Sequence, residues 1–289
     1  MFESIELLTP AKVNINLNVL PKREDGFHNI ESIFQTINFY DKIKVNLLSE
    51  KNKVTITCRE LKLPEENTFT KTYKTFSTLT GINNGVHIEL QKNIPTGGGL
   101  GGGSSNGAFF LEALCKLNKI ELTESLKDEV ASKVGSDVFF FLKSGFNQTT
   151  CGCALVSGRG EFVKKIKPRN DLFFVLIFPK VHSSTKEAYD LLDKTYEAGN
   201  KTSCPKLADL ESIYNSSVRS WTFKNCFTSV MKLKYAVIGK ALQDIKNSGA
   251  EWADMSGSGA TVFGVFTSKN AAELALAQLK KSWDYCVLA

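Results

Sequence analysis

Apolar and polar residues alternate along Ile5 to Leu20, with Val13, Ile15, Leu17 and Val19 apolar and Lys12, Asn14, Asn16 and Asn18 between them. A period of two is that of a β-strand, and the four polar residues share one face, which pattern alone allows to be solvated. The same period returns in Gly85 to Lys92, where Val86, Ile88 and Leu90 alternate with polar residues. Ile30 to Leu48 and Lys53 to Cys58 read as further strands, with Asp41-Lys42 turning between them. Gly145 to Val156 and Gly158 to Glu161 read as hairpin strands around a glycine turn, and Leu172 to Phe178 as a buried strand. Helical spacing predicts helices over Thr68 to Leu79, over Phe110, Leu111, Leu114 and Leu117, over Leu122, Leu126, Val130 and Val134, over Met231 to Ser248, and over Ala271 to Lys281. In Met231 to Ser248 the expected apolar face is Leu233, Val237, Ile238, Ala241, Leu242 and Ile245. Asn200 to Phe227 has mixed polarity and reads as loops and short helices with no site in it. The compact turn Pro168-Arg-Asn-Asp171 marks a domain edge, giving an α+β chain with domains 1–167 and 168–289.

Between a clean strand and a clean helix lies Pro95-Thr-Gly-Gly-Gly-Leu-Gly-Gly-Gly-Ser-Ser-Asn-Gly-Ala108. Gly97, Gly98, Gly99, Gly101, Gly102 and Gly103 carry no Cβ, so the backbone around Leu100 can turn sharply and approach a ligand closely. Ser104 or Ser105 is placed to cap the helix that follows. A glycine loop feeding a helix N-terminus presents free N–H groups to an anion, and polyphosphate is the natural guest. The G-x-x-x-x-G-K-[ST] phosphate loop is excluded, because Ser104 stands where its Lys must follow the last Gly. The dinucleotide pattern is met formally by Gly97, Gly99 and Gly102 with Glu121 near the ribose-binding offset, but Ile120 to Val134 has helical spacing where that fold needs a second strand. A flexible glycine linker is the structural alternative.

With 289 residues the chain has room for two domains, and 42% apolar and 23% charged residues are ordinary for a globular protein. The net charge of +6, from 36 basic and 30 acidic residues, is scattered without a basic run, which argues for solvated surface charge and against a nucleic-acid partner. Seven cysteines without a C-x-x-C pair and three separated histidines, His28, His87 and His182, read as reduced thiols and give a zinc site little support. The opening Met1-Phe-Glu-Ser-Ile-Glu is not a secretory signal, and the longest apolar run, Leu172 to Phe178, is too short for a membrane span. A cytoplasmic protein is expected, or a plastid one from which a transit peptide has been removed.

Three further stretches carry candidate chemistry. Asp137, in Gly135-Ser-Asp137-Val-Phe-Phe-Phe-Leu142, precedes an apolar run that would draw it to the edge of the core, where proton acceptance becomes practical, although a helix-capping role is open to it. Phe27-His28, after the Asp25-Gly26 turn, offers a stacking face and hydrogen-bonding groups, or simple packing. Ser256-Gly-Ser-Gly-Ala260 forms a second glycine loop.

Pro-x-x-x-Gly-Leu-Gly-x-x-Ser-Ser resembles the central motif of the GHMP small-molecule kinases. The longer glycine run, Pro10-Ala-Lys-Val-Asn14, Arg23-Glu-Asp-Gly-Phe-His28 and the Ser-Thr-x-x-Ala-Tyr189 stretch are similar to the branch that phosphorylates a cytidine diphosphate-linked methylerythritol. Gly107, where that branch more often has Ala, departs from it at a small cost in helix propensity. The resemblance implies a ribosomal protein S5 domain 2-like N-terminal domain, a ferredoxin-like C-terminal domain, and ATP with Mg2+. By it, Pro95 and Gly97 to Ser105 hold the phosphates, Asn67 and Lys92 lie near the nucleotide, and Ser256, Gly257, Ser258 and Gly259 face the phosphate loop. Asp137 is then the base and Lys12 the stabiliser of the reacting oxygen. Asn14 and Thr185 hold substrate, Phe27 and Tyr189 sandwich the cytosine, and His28 hydrogen-bonds it through its backbone neighbours or ring. It leaves the magnesium ligands unspecified and allows a monomer or homodimer. Rival readings are a GHMP kinase acting on mevalonate, homoserine or a sugar, which has no use for the Phe27/Tyr189 pair, and a non-catalytic sensor on the same fold.

Overall fold

A computed structural model describes residues 4–147, 150–181 and 184–289. In chain order its elements are β1 (Ser4–Lys22), β2 (His28–Lys51), β3 (Val54–Cys58), α1 (Thr68–Thr80), β4 (Asn84–Gln91), α2 (Gly102–Leu117), α3 (Glu124–Val134), α4 (Ser136–Lys143), β5 (Cys153–Gly158), β6 (Phe162–Lys165) and β7 (Phe173–Ile177). There follow α5 (Thr185–Glu197), α6 (Leu207–Tyr214), a short 3-10 turn, α7 (Cys226–Lys234), α8 (Ala236–Asn247), β8 (Trp252–Met255), β9 (Val262–Phe266), α9 (Lys269–Leu279) and β10 (Cys286–Leu288). The result is an α+β chain.

Beside the expected division at 167/168, the compact units follow an interleaved partition. One comprises residues 1–11, 38–96 and 101–150, the other 12–37, 97–100 and 151–289. The cuts fall inside β1, β2 and the glycine loop. Strands of 19 and 24 residues are far longer than the usual length of about 5–6, and each serves one unit with one end.

In the first unit β4 runs antiparallel to the end of β2, from Lys42↔Gln91 to Leu48↔Gly85, and parallel to β3. The alternation seen in sequence places Val86, Ile88 and Leu90 in the core, and Phe110, Leu111, Leu114 and Leu117 give α2 its buried face. The turn expected at Asp41-Lys42 does not form, and β2 continues through it. Asp41 is fully buried, accepting hydrogen bonds from the backbone N–H groups of Asn93 and Ile94 at 2.8 Å each and from Asn106 Nδ2 at 3.1 Å, and pairing with Lys92 at 2.7 Å. A carboxylate so completely partnered has no need of the solvent that a turn would give it.

In the second unit the start of β2 pairs antiparallel with β5, from Ile30↔Gly158 to Gln35↔Cys153, and β5 pairs with β6 in a hairpin. A separate antiparallel sheet has the order β10-β7-β9-β8. Ile238, Ala241, Leu242 and Ile245 of α8 and Ala272, Ala275 and Leu279 of α9 are its buried helical cover. The single helix expected over Met231 to Ser248 is two helices, broken at Tyr235, whose extended backbone (φ −122°, ψ 90°) ends α7 with its N–H on the Met231 carbonyl. Leu233, expected in the apolar face, is 83% exposed for that reason. The cysteines are free thiols, and no described helix is long and apolar enough to cross a membrane.

Candidate active site

The polar face of β1 is buried. Lys12 is 3% and Asn14 1% exposed, and Asn16 is fully enclosed. Burial of amides and an ammonium is tolerable only with partners, and each has them. Lys12 Nζ donates to Asn14 Oδ1 at 2.7 Å and lies 4.5 Å from the centroid of the Phe34 ring. Asn14 Nδ2 donates to Ser32 Oγ at 3.3 Å, and the Asn14 backbone N–H donates to Ser256 Oγ at 3.3 Å. Asn16 and Asn18 donate to the backbone carbonyl and the carboxylate of Glu31, at 3.2 and 2.9 Å.

The first half of the glycine loop, Gly97 to Leu100, lies in the same unit and packs on the loop of Ser256 to Gly259. Gly99 has φ 78°, and a Cβ there would lie 2.0 Å from the Ser256 carbonyl oxygen, so no other residue fits. Ser256 Oγ donates to the Gly99 carbonyl at 2.9 Å, and the Lys12 N–H donates to the Leu100 carbonyl at 2.9 Å, tying the strand that carries Lys12 to the loop. Asn225 braces the second loop from behind. Its Nδ2 donates to the carbonyls of Met255 and Gly257 at 2.7 and 2.8 Å, and its N–H donates to Asp254 at 2.9 Å. Asp254 also accepts from Thr228 Oγ1 at 2.5 Å, and burial pushes its carboxyl up to about 6. The sequence, read there as loops and short helices, offered no sign of this bracing; Asn225 also caps the helix that follows it, accepting the Phe227 N–H at 3.0 Å.

Phe27 is 48% exposed, with the guanidinium of Arg159 3.6 Å from its ring centroid. His28 is buried; Nδ1 meets the Leu20 carbonyl at 2.8 Å and Nε2 lies 3.3 Å from Asp193. Both ring nitrogens are thus engaged within the protein. Tyr189 lies beside the His28 ring at 5.0 Å and edge-on to Phe227 at 4.9 Å. Thr185 Oγ1 is 3.1 Å from Ser258 Oγ, joining the start of α5 to the second loop, and Ser184 caps α5 by accepting the Glu187 N–H. Ser183, which with Ser184 and Thr185 is available in the sequence to cap this helix, lies outside the described residues. Sequence reasoning missed Arg159, Asp193 and Asn225.

In the first unit α2 begins after Gly101, which has φ 68° and offers no side-chain cap. Neither Ser104 nor Ser105 is the cap; both sit inside the first turn, because the left-handed Gly101 turns the chain into the helix three residues earlier than a serine cap would. Ser105 Oγ is buried without a hydrogen-bond partner. The residues before the loop are anchored: Lys92 Nζ pairs with Asp41 and also donates to the Ile94 carbonyl. Asn67 caps α1, its Oδ1 accepting the N–H groups of Phe69 and Thr70 at 2.9 and 3.2 Å and its Nδ2 donating to the Pro64 carbonyl at 2.8 Å. It also lines a cavity of about 670 Å3 with Val54, Ile56, Leu61 and Leu63. Asp137 is not the cap of α4, which is Gly135; it is the second residue of that helix, half-buried, ahead of buried Val138, Phe139 and Phe140. A Cβ on Gly135 would stand 3.7 Å from Ser104 Oγ, so the helix carrying Asp137 starts beside the first turn of α2. Among the described residues no three His, Cys, Asp or Glu side chains cluster as a metal site.

Two family models match the chain, GHMP kinases N terminal domain over residues 67–153 and GHMP kinases C terminal over residues 206–284. The 4-diphosphocytidyl-2-C-methyl-D-erythritol kinase of Treponema pallidum is 34% identical over 99% of this chain and 98% of its own length. That of Thermotoga maritima is 36% identical over 91% and 92%. This chain belongs to that kinase family. A crystal structure of a 4-(cytidine 5'-diphospho)-2C-methyl-D-erythritol kinase superposes on it with a TM-score of 0.81, 26% identity and 98% coverage of both chains. A homoserine kinase from Cytophaga hutchinsonii, 21% identical with a TM-score of 0.71 over 99% and 93% of the two chains, shares the fold. As a GHMP kinase the chain uses ATP as phosphate donor. In this kinase the two glycine-rich segments read from sequence are thus a packed pair, and Lys12 is tied to one of them.

Proposed function

We propose that this kinase transfers the γ-phosphoryl group of ATP to the 2-hydroxyl of 4-diphosphocytidyl-2-C-methyl-D-erythritol, in the supply of isoprenoid precursors. The observation that carries the reading is the seating of Gly97 to Leu100 on Ser256 to Gly259 beside the buried pair Lys12 and Asn14. The phosphates of ATP lie along Gly97 to Ser105, where the uncapped N–H groups of α2 and the unpartnered Ser105 hydroxyl await acceptors. The adenine occupies the cavity beside Asn67. Asp137 takes the proton of the 2-hydroxyl, the freed oxygen attacks the γ-phosphorus, and ADP leaves. Lys12 balances the charge that develops on the attacking oxygen and the transferred group, held in place by Asn14. Positioning and electrostatics carry most of the rate in phosphoryl transfer.

Magnesium fits as a companion of the nucleotide. With no protein cage for it among the described residues, phosphate oxygens and water would supply most ligands, the Ser105 hydroxyl is the protein oxygen that fits beside them, and the ion would neutralise phosphate charge. At the other end of the substrate, the cytosine stacks on Phe27, is flanked by Tyr189, and is read by the backbone around His28, while Thr185 and Ser258 bound the methylerythritol. The enzyme works in the cytosol on small molecules.

ADP release with 4-diphosphocytidyl-2-C-methyl-D-erythritol, measured against mevalonate, homoserine and galactose at equal concentration, tests this. Release with the cytidine compound alone is expected. Release with another acceptor instead would keep the kinase and discard the cytosine site.

A further inference from the structure

Arg159 sits in a tight turn whose partners direct it. The hairpin of β5 and β6 turns at Gly158-Arg159, with the Gly160 N–H on the Ser157 carbonyl, and β5 places Gly158 opposite Ile30. Ile30 is three residues after Phe27, so strand pairing brings the tip of the hairpin to the Phe27 turn. The guanidinium then lies over the ring, its carbon 3.6 Å from the centroid. The nearest acid in sequence does not compete for it, since Glu161 accepts the backbone N–H of Arg159 at 2.5 Å. The neighbouring cations are neutralised, Lys22 by Asp193 at 3.7 Å and Arg23 by Asp25 at 2.7 Å. Among the described residues the guanidinium of Arg159 has no carboxylate. A guanidinium that lies over an exposed ring and pairs with no carboxylate keeps its N–H donors for water or an anionic ligand.

We infer that Arg159 binds the diphosphate of the substrate and, with Phe27, forms one recognition surface for its cytidine diphosphate half. This rests on the substrate reading above. Contact with the ring positions the guanidinium beside Phe27, and its forked donors suit phosphate oxygens in pairs. Phe27, 48% exposed, keeps ring surface for the base. Arg159 is therefore a specificity residue for a nucleoside diphosphate, distinct from the groups that handle ATP.

The test compares wild-type enzyme, Arg159→Met and Arg159→Lys in calorimetric binding of cytidine and of cytidine diphosphate, with KM and kcat for the full substrate and the thermal midpoint alongside. Wild type should prefer the diphosphate to cytidine. In Arg159→Met that preference should collapse, with KM for the substrate rising roughly ten-fold or more and kcat, KM for ATP and the thermal midpoint little changed. Arg159→Lys should recover part of the preference. If both ligands weaken equally in Arg159→Met, Arg159 merely supports the ring and the inference fails; if neither weakens, it fails outright. The binding arm stands apart from turnover. Absence of ADP release by the wild type would overturn the proposed reaction, while the cytidine comparison would still decide the role of Arg159.

Discussion

Two helices of the first unit begin in opposite ways. At α1 the chain closes its own end: Asn67 accepts two N–H groups of the first turn, and Thr70 Oγ1 accepts the Asn67 N–H at 2.9 Å. At α2 the cap is a left-handed glycine without a side chain, and a buried serine hydroxyl in the first turn has no partner. Every helix leaves N–H groups for side chains, water or a ligand to satisfy, and at α2 no side chain caps them. In the second unit α7 shows the closure carried furthest, because Asn225 accepts its Phe227 N–H while the carboxylate of Asp254 takes the Asn225 N–H and the Thr228 hydroxyl. There an internal carboxylate braces the cap residue and the first turn of the helix, where at α2 the proposed reading places the phosphates of ATP.

The strongest way to break this comparison is at α4, another start without a side-chain cap, whose first turn carries Asp137. If that acid serves the reaction and α2 serves the nucleotide, Asp137→Asn should lower kcat by roughly 10³-fold or more and leave the ATP dissociation constant within about two-fold. Steady-state ADP release and calorimetric ATP titration read the two separately. A matching loss of ATP affinity would make Asp137 part of the nucleotide site.

The anion at α7 predicts a pH effect of the next size. Burial raises the Asp254 carboxyl from 3.8 to about 6, so the native state holds its proton more tightly than the unfolded chain. The stability this contributes is fully present below the unfolded value and is lost as pH rises through about 6. The amount is on the order of 2–3 kcal/mol. Denaturant midpoints followed between those two values should show the decline in the wild type and a flatter profile in Asp254→Asn, which has no proton to lose. Parallel profiles would mean that the hydrogen bonds from Asn225, Thr228 and Met255 outweigh desolvation.

Closing α2 artificially sharpens the contrast. Gly101→Asp supplies a cap and a negative charge where the phosphates are proposed to lie, and Asp tolerates the left-handed conformation better than most residues. KM for ATP should rise by roughly ten-fold while the thermal midpoint moves little. An unchanged KM would place the phosphates elsewhere.

What the sequence made legible follows the range of the forces involved. The alternation in β1 and β4 and the helical face of α2 are local, and they appear where the pattern puts them. The glycine loop could be read as an anion site because its residues are consecutive. Asp41 was read as a turn because Asp-Lys in isolation is one, and the partners that keep β2 straight come from residues 93, 94 and 106. The same reason hid Asn225 and Arg159: one acts on carbonyls about 30 residues away and the other on a ring brought near by strand pairing. The break at Tyr235 was invisible for a different reason, since no Gly or Pro marks it and apolar spacing runs on past it through Val237.

The smallest effect separates the two roles that remain open to Asn67. As a cap it is worth about 1 kcal/mol, so Asn67→Ala should lower stability by that amount and the thermal midpoint by roughly 2–4 °C. Its side-chain amide is already spent on Phe69, Thr70 and Pro64. An amide so committed has little left with which to read adenine, even though it lines the cavity beside α1. KM for ATP should accordingly change less than two-fold or so once assays are run well below the midpoint, and Asn67→Asp, which keeps the cap, should restore stability. If KM for ATP instead rises in both variants while Asn67→Asp stays as stable as the wild type, the Nδ2 donor has left Pro64 to bind the base. The closed end of α1 would then be part of the nucleotide site after all, and the contrast with α2 would be one of ligand atom, base against phosphate, in place of closed against open.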